Sequence, residues 1–454
     1  MANKNILTTE SRTMMVEQVY FSPVAVVPPN DYNAQTIYTF LSKVEPWADD
    51  ENIPAPTSDE KYKKQVFKNM FVAKRVKSSD MSPVIQRVNW TSGIVYDYYR
   101  DDIDMNAVDV DGNAVYTFYV KNRYDQVFKC LWNNNGEGST EEPYFEPGSY
   151  NTNNIFQSTD GYKWKYIYTI DLGLKVKFMD DTWIPVPVGA NTPNPLQTSA
   201  GAGCLDVINV TNTGSGYDPA NAVITITVTG DGTGATATSN VVNGHLVDVI
   251  VTSPGTNYTF ANVSISSALG SNATVIAPIS PVGGHGFDPI SELGARHLMI
   301  TAEFNNTENN VLPVDIDFHQ LGLLVNPTTY ADYPIPANSE IYRTTTDLIV
   351  APGFGVFVPD EYVFQGNTLE DSTFSARVLS FNTSTNVIYL INTKGTLTLN
   401  APIFGATSKT TRTLLSYSTP NLSPFSGYMI LIENRSAVQR SADGIEQFRF
   451  VLGY

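Results

Sequence analysis

The segment Tyr162-Lys163-Trp164-Lys165-Tyr166-Ile167-Tyr168-Thr169-Ile170 indicates the fold class of this chain. Its four aromatic rings recur at every second position, which is the period of a β-strand and places them on one face. Such a face packs either in a protein core or in a subunit interface, because Tyr and Trp occur in both. Residues 36–41, 115–120 and 386–391 have the same β-branched and aromatic texture. The sequence therefore predicts a mainly β protein with few helices.

The amino-acid composition fits strands joined by turns and argues against two classes of partner. Charged residues make up 16% of the 454 residues, below the ~25% usual in soluble domains. The formal net charge is -17, and residues 178–342 contain one basic residue, Arg296, against 14 acidic residues. Nucleic acids and anionic membranes bind through basic side chains that displace counterions. We therefore expect no nucleic-acid partner and no membrane partner.

One segment has a helical pattern. Thr57 followed by Glu60 reads as a capping box, and apolar residues recur beyond it at the spacing of one helix face. This predicts an amphipathic helix of roughly four turns that ends near Ser78. Lysines fall mainly on its other face, which is either an anion-binding surface or, as we expect, a solvated outer face. These lysines are Lys63, Lys64, Lys68 and Lys74.

An internal repeat occupies residues 201–284. Val210-Thr211, Gly214 and Tyr217 recur 41 residues later as Val251-Thr252, Gly255 and Tyr258. Each copy reads as strand, Gly-x-x-Tyr turn, strand, glycine-rich turn and a further strand of small residues. We predict two similar β-units stacked together, which are too few for a free-standing solenoid.

A second candidate module covers residues 331–415. Its short apolar segments are typical of the strands of a small β-barrel, and they are 354–358, 363–366, 376–379 and 387–391. The remaining residues, 1–200, 285–330 and 416–454, then form one discontinuous domain. We predict that this domain is a β-sandwich-like framework and that both modules are inserted into it.

Two motifs resemble ligand-binding loops but fail in context. Asp109-x-Asp111-Gly112 matches the centre of a calcium loop, yet Ala107 and Phe118 stand where an EF-hand needs acidic ligands. We predict a solvated hairpin turn there, and a weak surface cation site stays open. The glycines of Gly230-x-Gly232-x-Gly234 are followed by a strand pattern instead of a helix, so we expect a turn with positive φ angles and no nucleotide site.

Histidine, cysteine and carboxylate spacings suggest no catalytic or metal site. The histidines are widely separated, at His245, His285, His297 and His319. His285 lies in Gly283-Gly284-His285-Gly286, which predicts a sharp corner at the exit of the repeat module. Cys130 and Cys204 are expected to be buried thiols. A glycosidase would need two carboxylates in one cleft, and the sequence singles out no such pair. We therefore expect no catalytic, cofactor-binding or metal-binding residue and no cofactor.

The N-terminal residues have no continuous apolar run of the kind found in signal peptides. No stretch approaches the ~18 apolar residues of a membrane helix. We therefore expect the protein to be made and folded in a cytoplasm.

Short motifs rich in aromatic and charged residues follow one another outside the two modules. They are Ser11-Arg12-Thr13, Thr36-Ile37-Tyr38, Glu45-Pro46-Trp47, Pro83-Val84-Ile85 with Arg87 and Trp90, Phe128-Lys129-Cys130-Leu131, Asp160-Gly161-Tyr162-Lys163-Trp164-Lys165-Tyr166, Phe318-His319-Gln320, Val325-Asn326-Pro327, Ser426-Gly427-Tyr428-Met429 and Glu433-Asn434-Arg435. In this order they resemble the baseplate wedge subunit of T4-like contractile-tailed bacteriophages, the gene 8 product family. The resemblance covers about residues 10–195, 285–330 and 420–454. Residues 201–284 and 331–415 depart from it and look like insertions.

The resemblance implies a structural, non-enzymatic protein of the virion, assembled in the host cytoplasm. It implies a homodimer within each baseplate wedge, in contact with the other wedge subunits that link the baseplate periphery to its inner ring. Rigid domains would re-dock when the tail contracts. An alternative is a carbohydrate-binding or depolymerising phage tail protein. A third possibility is that the two insertions decorate the exterior of the baseplate.

Overall fold

The computed structural model describes residues 9–21, 35–110, 112–146, 155–188, 201–308, 311–330, 335–441 and 443–453. Strands dominate these residues, which confirms the prediction of a mainly β protein. The described helices are α1 (Thr9–Phe21), α2 (Glu60–Asn69), α3 (Leu172–Phe178) and α4 (Pro289–Glu292), with short 3₁₀ turns at Ser78–Asp80 and Asn134–Gly136.

The chain divides into two compact units. Unit 1 comprises Met1–Gln18, Ser82–Met299 and Val451–Tyr454, and unit 2 comprises Val19–Met81 and Ile300–Phe450. Segments of the predicted framework contribute to both units. The domain boundaries and the sandwich-like packing drawn from the sequence stay predictions.

Unit 1 contains a four-stranded antiparallel sheet around the aromatic strand. Its strands, in spatial order, are β4 (Tyr119–Lys121), β5 (Gln126–Asn133), β7 (Tyr162–Thr169) and β6 (Ile155–Gln157). Beside it, β3 (Met81–Gln86) pairs with β8 (Trp183–Pro185). Of the strand predicted at residues 115–120, only Tyr119 and Val120 belong to β4, so that prediction was mostly wrong.

The four aromatic rings of β7 do not share one face. Tyr162, Trp164 and Tyr166 belong to one buried cluster, whereas Tyr168 packs with Ile167 in another. The register between β5 and β7 shifts at this point, because one extra residue on β7 forms a β-bulge that reverses the alternation. All four rings are buried in unit 1, which confirms core packing as their role.

The repeat module consists of three two-stranded antiparallel sheets. Its strands are β9 (Asn209–Ser215), β10 (Ile224–Gly230), β11 (Thr233–Val242), β12 (His245–Thr256), β13 (Ala261–Ser267) and β14 (Ser271–Ile276). β9 pairs with β14, β10 with β13 and β11 with β12. Each strand of the first copy therefore pairs with a strand of the second, so the two copies interlock and neither closes a sheet alone.

The repeated tyrosines explain the glycines of the module. The hydroxyl oxygens of Tyr217 and Tyr258 accept equivalent bonds from the backbone N–H groups of Ala273 and Ala235, at 3.3 and 3.4 Å. A Cβ on Gly232 would lie 2.4 Å from the ring of Tyr258, so this position needs glycine for close approach. Of the pattern at 230–234, only Gly234 has a positive φ, and the prediction for the other two glycines was wrong.

Unit 2 contains a five-stranded sheet in the order β17-β2-β1-β16-β24. Its strands are β1 (Ile37–Ser42), β2 (Met70–Val76), β16 (Asp317–Val325), β17 (Ile341–Arg343) and β24 (Tyr428–Gln439). The remaining strands outside the barrel, β15 (His297–Asn305) and β25 (Ile445–Gly453), each contain a boundary between the units.

The predicted helix is shorter than its sequence pattern indicated. The N-cap of α2 is Asp59, whose side chain accepts the backbone N–H of Tyr62, so Thr57 is not the cap. The helix ends at Asn69 because Met70–Val76 extends and pairs with β1 in the sheet core. Lys74 therefore lies on a strand, and Lys64 and Lys68 remain exposed on the helix.

Unit 2 also contains a closed six-stranded barrel within residues 346–418. Its strands are β18 (Thr346–Val350), β19 (Tyr362–Gln365), β20 (Phe374–Asn382), β21 (Val387–Gly395), β22 (Pro402–Gly405) and β23 (Thr411–Ser418). The strand predicted at 354–358 is wrong: this segment is a loop that turns at Gly355, where φ is +83°, and that buries Phe357 in the barrel core.

Candidate functional site

A buried group of charged side chains lies in unit 1. Strand β5 is buried along its whole length, and it carries Lys129 into this interior. The Lys129 Nζ lies 2.8 Å from Glu292 Oε1 and 3.2 Å from His285 Nδ1. The ring of Tyr99 covers the ammonium group, with its centroid 3.7 Å from Nζ. We call these four residues the Lys129 cluster.

Local structure explains why Glu292 and His285 meet. Asp288 caps the short helix α4 by accepting the backbone N–H groups of Ile290 and Ser291, and Glu292 ends that helix. The glycine-rich corner predicted around His285 is present, and the backbone N–H of Gly286 donates to Glu292 Oε2 at 2.6 Å. This glycine-rich corner therefore positions the imidazole of His285 and also donates a hydrogen bond to the carboxylate of Glu292.

The Lys129 cluster is an ion pair beside a neutral imidazole. Burial alone would raise the pKa of Glu292, but Lys129 and the hydrogen bond from His285 outweigh it and lower the pKa to about 2. Burial lowers the pKa of His285, and the charge of Lys129 adds to this effect. Since Glu292 Oε1 can only accept, His285 Nδ1 carries the proton and donates to it over 2.9 Å.

A cleft with a volume of about 700 Å³ opens beside the Lys129 cluster in unit 1. Its walls include the carboxylates of Glu17, Asp101, Asp104 and Asp288. Burial raises the pKa of Asp288, and burial together with the charge of Asp288 raises the pKa of Glu17. Carboxyl groups of this kind exchange protons closer to neutral pH than ordinary ones, and they also bind hydroxyl groups. No sequence pattern indicates this pair.

A second charged network lies in unit 2, where the barrel meets the end of β1. The buried Lys43 contacts Asp317 on β16 and Asp360, the latter at 3.0 Å. The buried Arg377 on β20 donates to Asp360 at 2.6 Å and approaches Glu45 at 3.5 Å. We call these five residues the barrel-base network. It ties two barrel residues to three residues outside the barrel.

Residues from motifs distant in sequence converge beside this network in unit 2. The indole N–H of Trp47 donates to the backbone carbonyl of Arg435 at 2.7 Å, and its ring lies edge-on to His319 at 6.3 Å. The amide of Gln320 donates to Asn434 at 2.8 Å. Strand β16 pairs with β24 at this point, with Gln320 opposite Asn434.

The outer wall of the barrel carries an apolar band. Ile349 on β18 lies opposite Val387 on β21 and opposite Ser416 on β23. Leu415 on β23 and Leu399, which precedes β22, are half-exposed beside it. A closed barrel has no free strand edge, so association here would use side chains. We call these four apolar residues the barrel face.

The candidate ligand residues identified from the sequence do not form a metal site among the described residues. Asp109 accepts the backbone N–H of Asn113 at 2.9 Å in a turn, and Asp111 lies outside the described residues. The described part of the chain contains no group of three or more His, Cys, Asp or Glu residues arranged to hold a metal ion. Cys130 and Cys204 are free and buried as predicted, and burial raises the pKa of both thiols, which makes them unreactive.

Comparison of the chain with protein-family models and with curated proteins gave no match. None of the helices among the described residues has the length and apolar character needed to cross a membrane.

Proposed function

We propose that the protein is a structural subunit of a phage tail baseplate wedge. It dimerises, links peripheral baseplate proteins to the inner ring, and re-docks as rigid domains during tail contraction. It carries out no catalysis, needs no cofactor and resides in the virion. Its partners are a second copy and the other wedge subunits.

The convergence of the family-like motifs carries this proposal. Glu45-Pro46-Trp47, Phe318-His319-Gln320 and Glu433-Asn434-Arg435 are far apart in sequence, yet their side chains contact one another in unit 2. The fold brings these residues together into one cluster, which is expected if the motifs belong to a single framework. This supports the resemblance as a property of the folded protein.

The exposed apolar residues support a role in assembly. The barrel face and Phe354, which is fully exposed, present apolar surface to solvent. Large exposed apolar patches on folded proteins commonly mark contacts with other proteins. Permanent scaffolds need such surfaces, because obligate interfaces are large and apolar.

Buried ionic contacts support rigid-body movement of the domains. The barrel-base network holds the barrel by directional, charge-assisted contacts within unit 2. A domain held in this way moves with its neighbours as one body, as a re-docking mechanism requires.

Sedimentation of the purified chain and co-assembly with other wedge proteins test the proposal. We expect a dimer at micromolar concentration and incorporation into wedges. Replacing Ile349 and Leu415 with Lys should weaken incorporation without unfolding the chain, and Thr413→Lys on the same outer wall serves as the matched control. A chain that stays monomeric and joins no wedge protein would contradict the proposal.

The acidic cleft of unit 1 favours a second candidate, a carbohydrate-binding or depolymerising tail protein. Glu17 and Asp288 are carboxyl groups with raised pKa values in one cleft, which is what proton transfer to a glycosidic oxygen requires. Incubation with host surface glycans would then release reducing ends. Glu17→Gln and Asp288→Asn should each abolish that release, while the exposed Asp181→Asn leaves it unchanged. No binding and no released sugar would exclude this candidate.

A further inference from the structure

Arg412 of the barrel is a buried cation without a counter-ion. Its side chain points inward from β23, and the residue is 7% exposed. The Nη2 donates to the backbone carbonyl of Gly355 at 2.7 Å. The Nε and Nη1 are buried and have no acceptor, and Arg412 forms no salt bridge with any carboxylate of the described residues.

The other deeply buried arginines of unit 2 are paired. Arg377 contacts Asp360 at 2.6 Å, and Arg440 contacts Glu446 at 2.8 Å. Burying a guanidinium without an anion costs free energy that these two residues recover from carboxylates. Arg412 is the exception among these buried arginines. Its lack of a counter-ion is therefore specific to its site and is not general to unit 2.

The loop over Arg412 is built for close approach. A Cβ on Gly353 would lie 2.5 Å from Arg412 Nη1, so a side chain at this position would displace the guanidinium. The backbone N–H groups of residues 353–357 have no acceptor among the described residues. The tip of the loop faces solvent, because Phe354 there is fully exposed. Several backbone donors without an acceptor therefore lie in the loop that covers Arg412.

We propose that the loop 351–357 and Arg412 form a binding site for an oxyanion. When the loop lifts, Nη2 leaves the carbonyl of Gly355, so that Nη1 and Nη2 of Arg412 donate to two oxygens of the anion as a fork, and the loop N–H groups donate to the others. The loop lies on Arg412 in the absence of the anion, and its exposed residues 352–356 lift to admit the anion while Phe357 stays in the barrel core. A free phosphate and the carboxylate of a small acid share this chemistry, and the two differ in shape.

Titration calorimetry of the full chain tests the site, with inorganic phosphate and acetate as probes at constant ionic strength in chloride. We expect saturable binding of at least one anion in the millimolar range or tighter. Phosphate that binds at least tenfold tighter than acetate identifies a tetrahedral ligand, and the reverse identifies a carboxylate. Absence of saturable binding by both anions up to ~50 mM, equivalent to a free energy weaker than about 2 kcal/mol, overturns the proposal.

Single-residue variants distinguish anion binding at Arg412 from non-specific attraction of anions to the protein surface. Arg412→Gln should weaken binding at least tenfold, while Lys409→Gln, which removes a neighbouring exposed cation, should leave it within twofold. Thr410 lies two residues before Arg412 on the same face of the chain, so Thr410→Asp supplies an internal carboxylate and should also weaken binding at least tenfold. This variant keeps the test decisive if Arg412→Gln fails to fold. Wild-type affinity in folded Thr410→Asp or Arg412→Gln contradicts the proposal.

Hydrogen exchange of the loop provides a second readout. Saturating anion should change the exchange of a peptide covering residues 351–358 in the wild type and in Lys409→Gln. The same peptide should show no change in Thr410→Asp. Binding that leaves the exchange of this loop unaltered in the wild type places the anion elsewhere and overturns the proposal.

Discussion

The Lys129 cluster and the barrel-base network are both buried ionic groups, but they differ in contact with water. In unit 1, the side chains of Lys129 and Glu292 are 1% and 3% exposed. In unit 2, Lys43 and Arg377 are equally buried, but their partner Asp360 is 39% exposed. A sealed ion pair has no solvent to replace a lost partner, whereas an open one does. We therefore expect the loss of one partner to cost more free energy of unfolding where both partners are buried than where one is exposed.

The largest effect is expected from Glu292→Gln in unit 1. The amide keeps the shape of the side chain but leaves the buried Lys129 ammonium without its counter-charge. We expect the free energy of unfolding of unit 1 to fall by about 3–5 kcal/mol. Four of the five tryptophans, Trp90, Trp132, Trp164 and Trp183, belong to unit 1, so tryptophan fluorescence in urea reports on this unit.

The double variant Lys129→Met with Glu292→Gln is the control for this prediction. It removes the unpaired charge and should recover most of the lost stability, since the cost of breaking a buried pair comes mainly from the uncompensated charge that is left. An unfolding midpoint of Glu292→Gln equal to that of the wild type would show that solvent reaches Lys129 after all.

Acid should weaken the sealed pair over a defined pH range. The pKa of Glu292 is depressed from 4.5 to about 2 in the folded protein, so its stabilising contribution is complete above pH 4.5 and is lost as the pH falls toward 2. This shift corresponds to about 3 kcal/mol. The difference in unfolding free energy between the wild type and the double variant, measured across this range, reports the titration of Glu292 together with the change that the variant causes in the pKa of His285. A pH-independent difference would refute the depressed pKa.

The fold could be predicted from the sequence where a pattern is local. Alternation in 162–170 and the repeated Gly-x-x-Tyr turns correctly indicated strands and two related units. The pairing between the two copies could not be predicted, because the residue pattern of a strand does not specify which other strand it pairs with. The bulge in β7 was missed for the same reason, since it depends on the register with β5. The end of α2 was missed because sheet pairing of Met70–Val76 overrode a continuing helical pattern.

The candidate site was less accessible to sequence reasoning. Lys129 stands in the apolar strand Gln126–Asn133, and a lysine in such a strand is a usable sign of a buried charge. Its partner Glu292 follows 163 residues later, among 45 acidic residues that the sequence does not distinguish. The unpaired state of Arg412 is a three-dimensional property, and its residue type alone gave no signal.

A smaller effect is expected from Asp360→Asn in unit 2. Arg377 keeps Glu45 nearby, Lys43 keeps Asp317, and water reaches the site. We expect a loss of about 1–2 kcal/mol, the range for a hydrogen bond to a charged group. Hydrogen exchange of the β20 segment, residues 374–382, measures the local opening free energy. Asp371→Asn, an exposed barrel carboxylate, is the matched control, and a loss as large as that of Glu292→Gln would contradict the role of solvent access.

The smallest effect is expected where both partners are exposed. Lys77 and Glu340 in unit 2 form an ion pair at 2.8 Å, and more than half of each side chain is in contact with solvent. Water solvates either charge when the other is removed, so Lys77→Gln should change the unfolding free energy by less than about 1 kcal/mol. High salt should shrink even this difference, because exposed charges are screened. Urea unfolding followed by hydrogen exchange of the β2 segment, residues 70–76, in low and high salt measures it. A salt-independent loss of several kcal/mol would mean that geometry, and not exclusion of water, sets the strength of ion pairs in this protein.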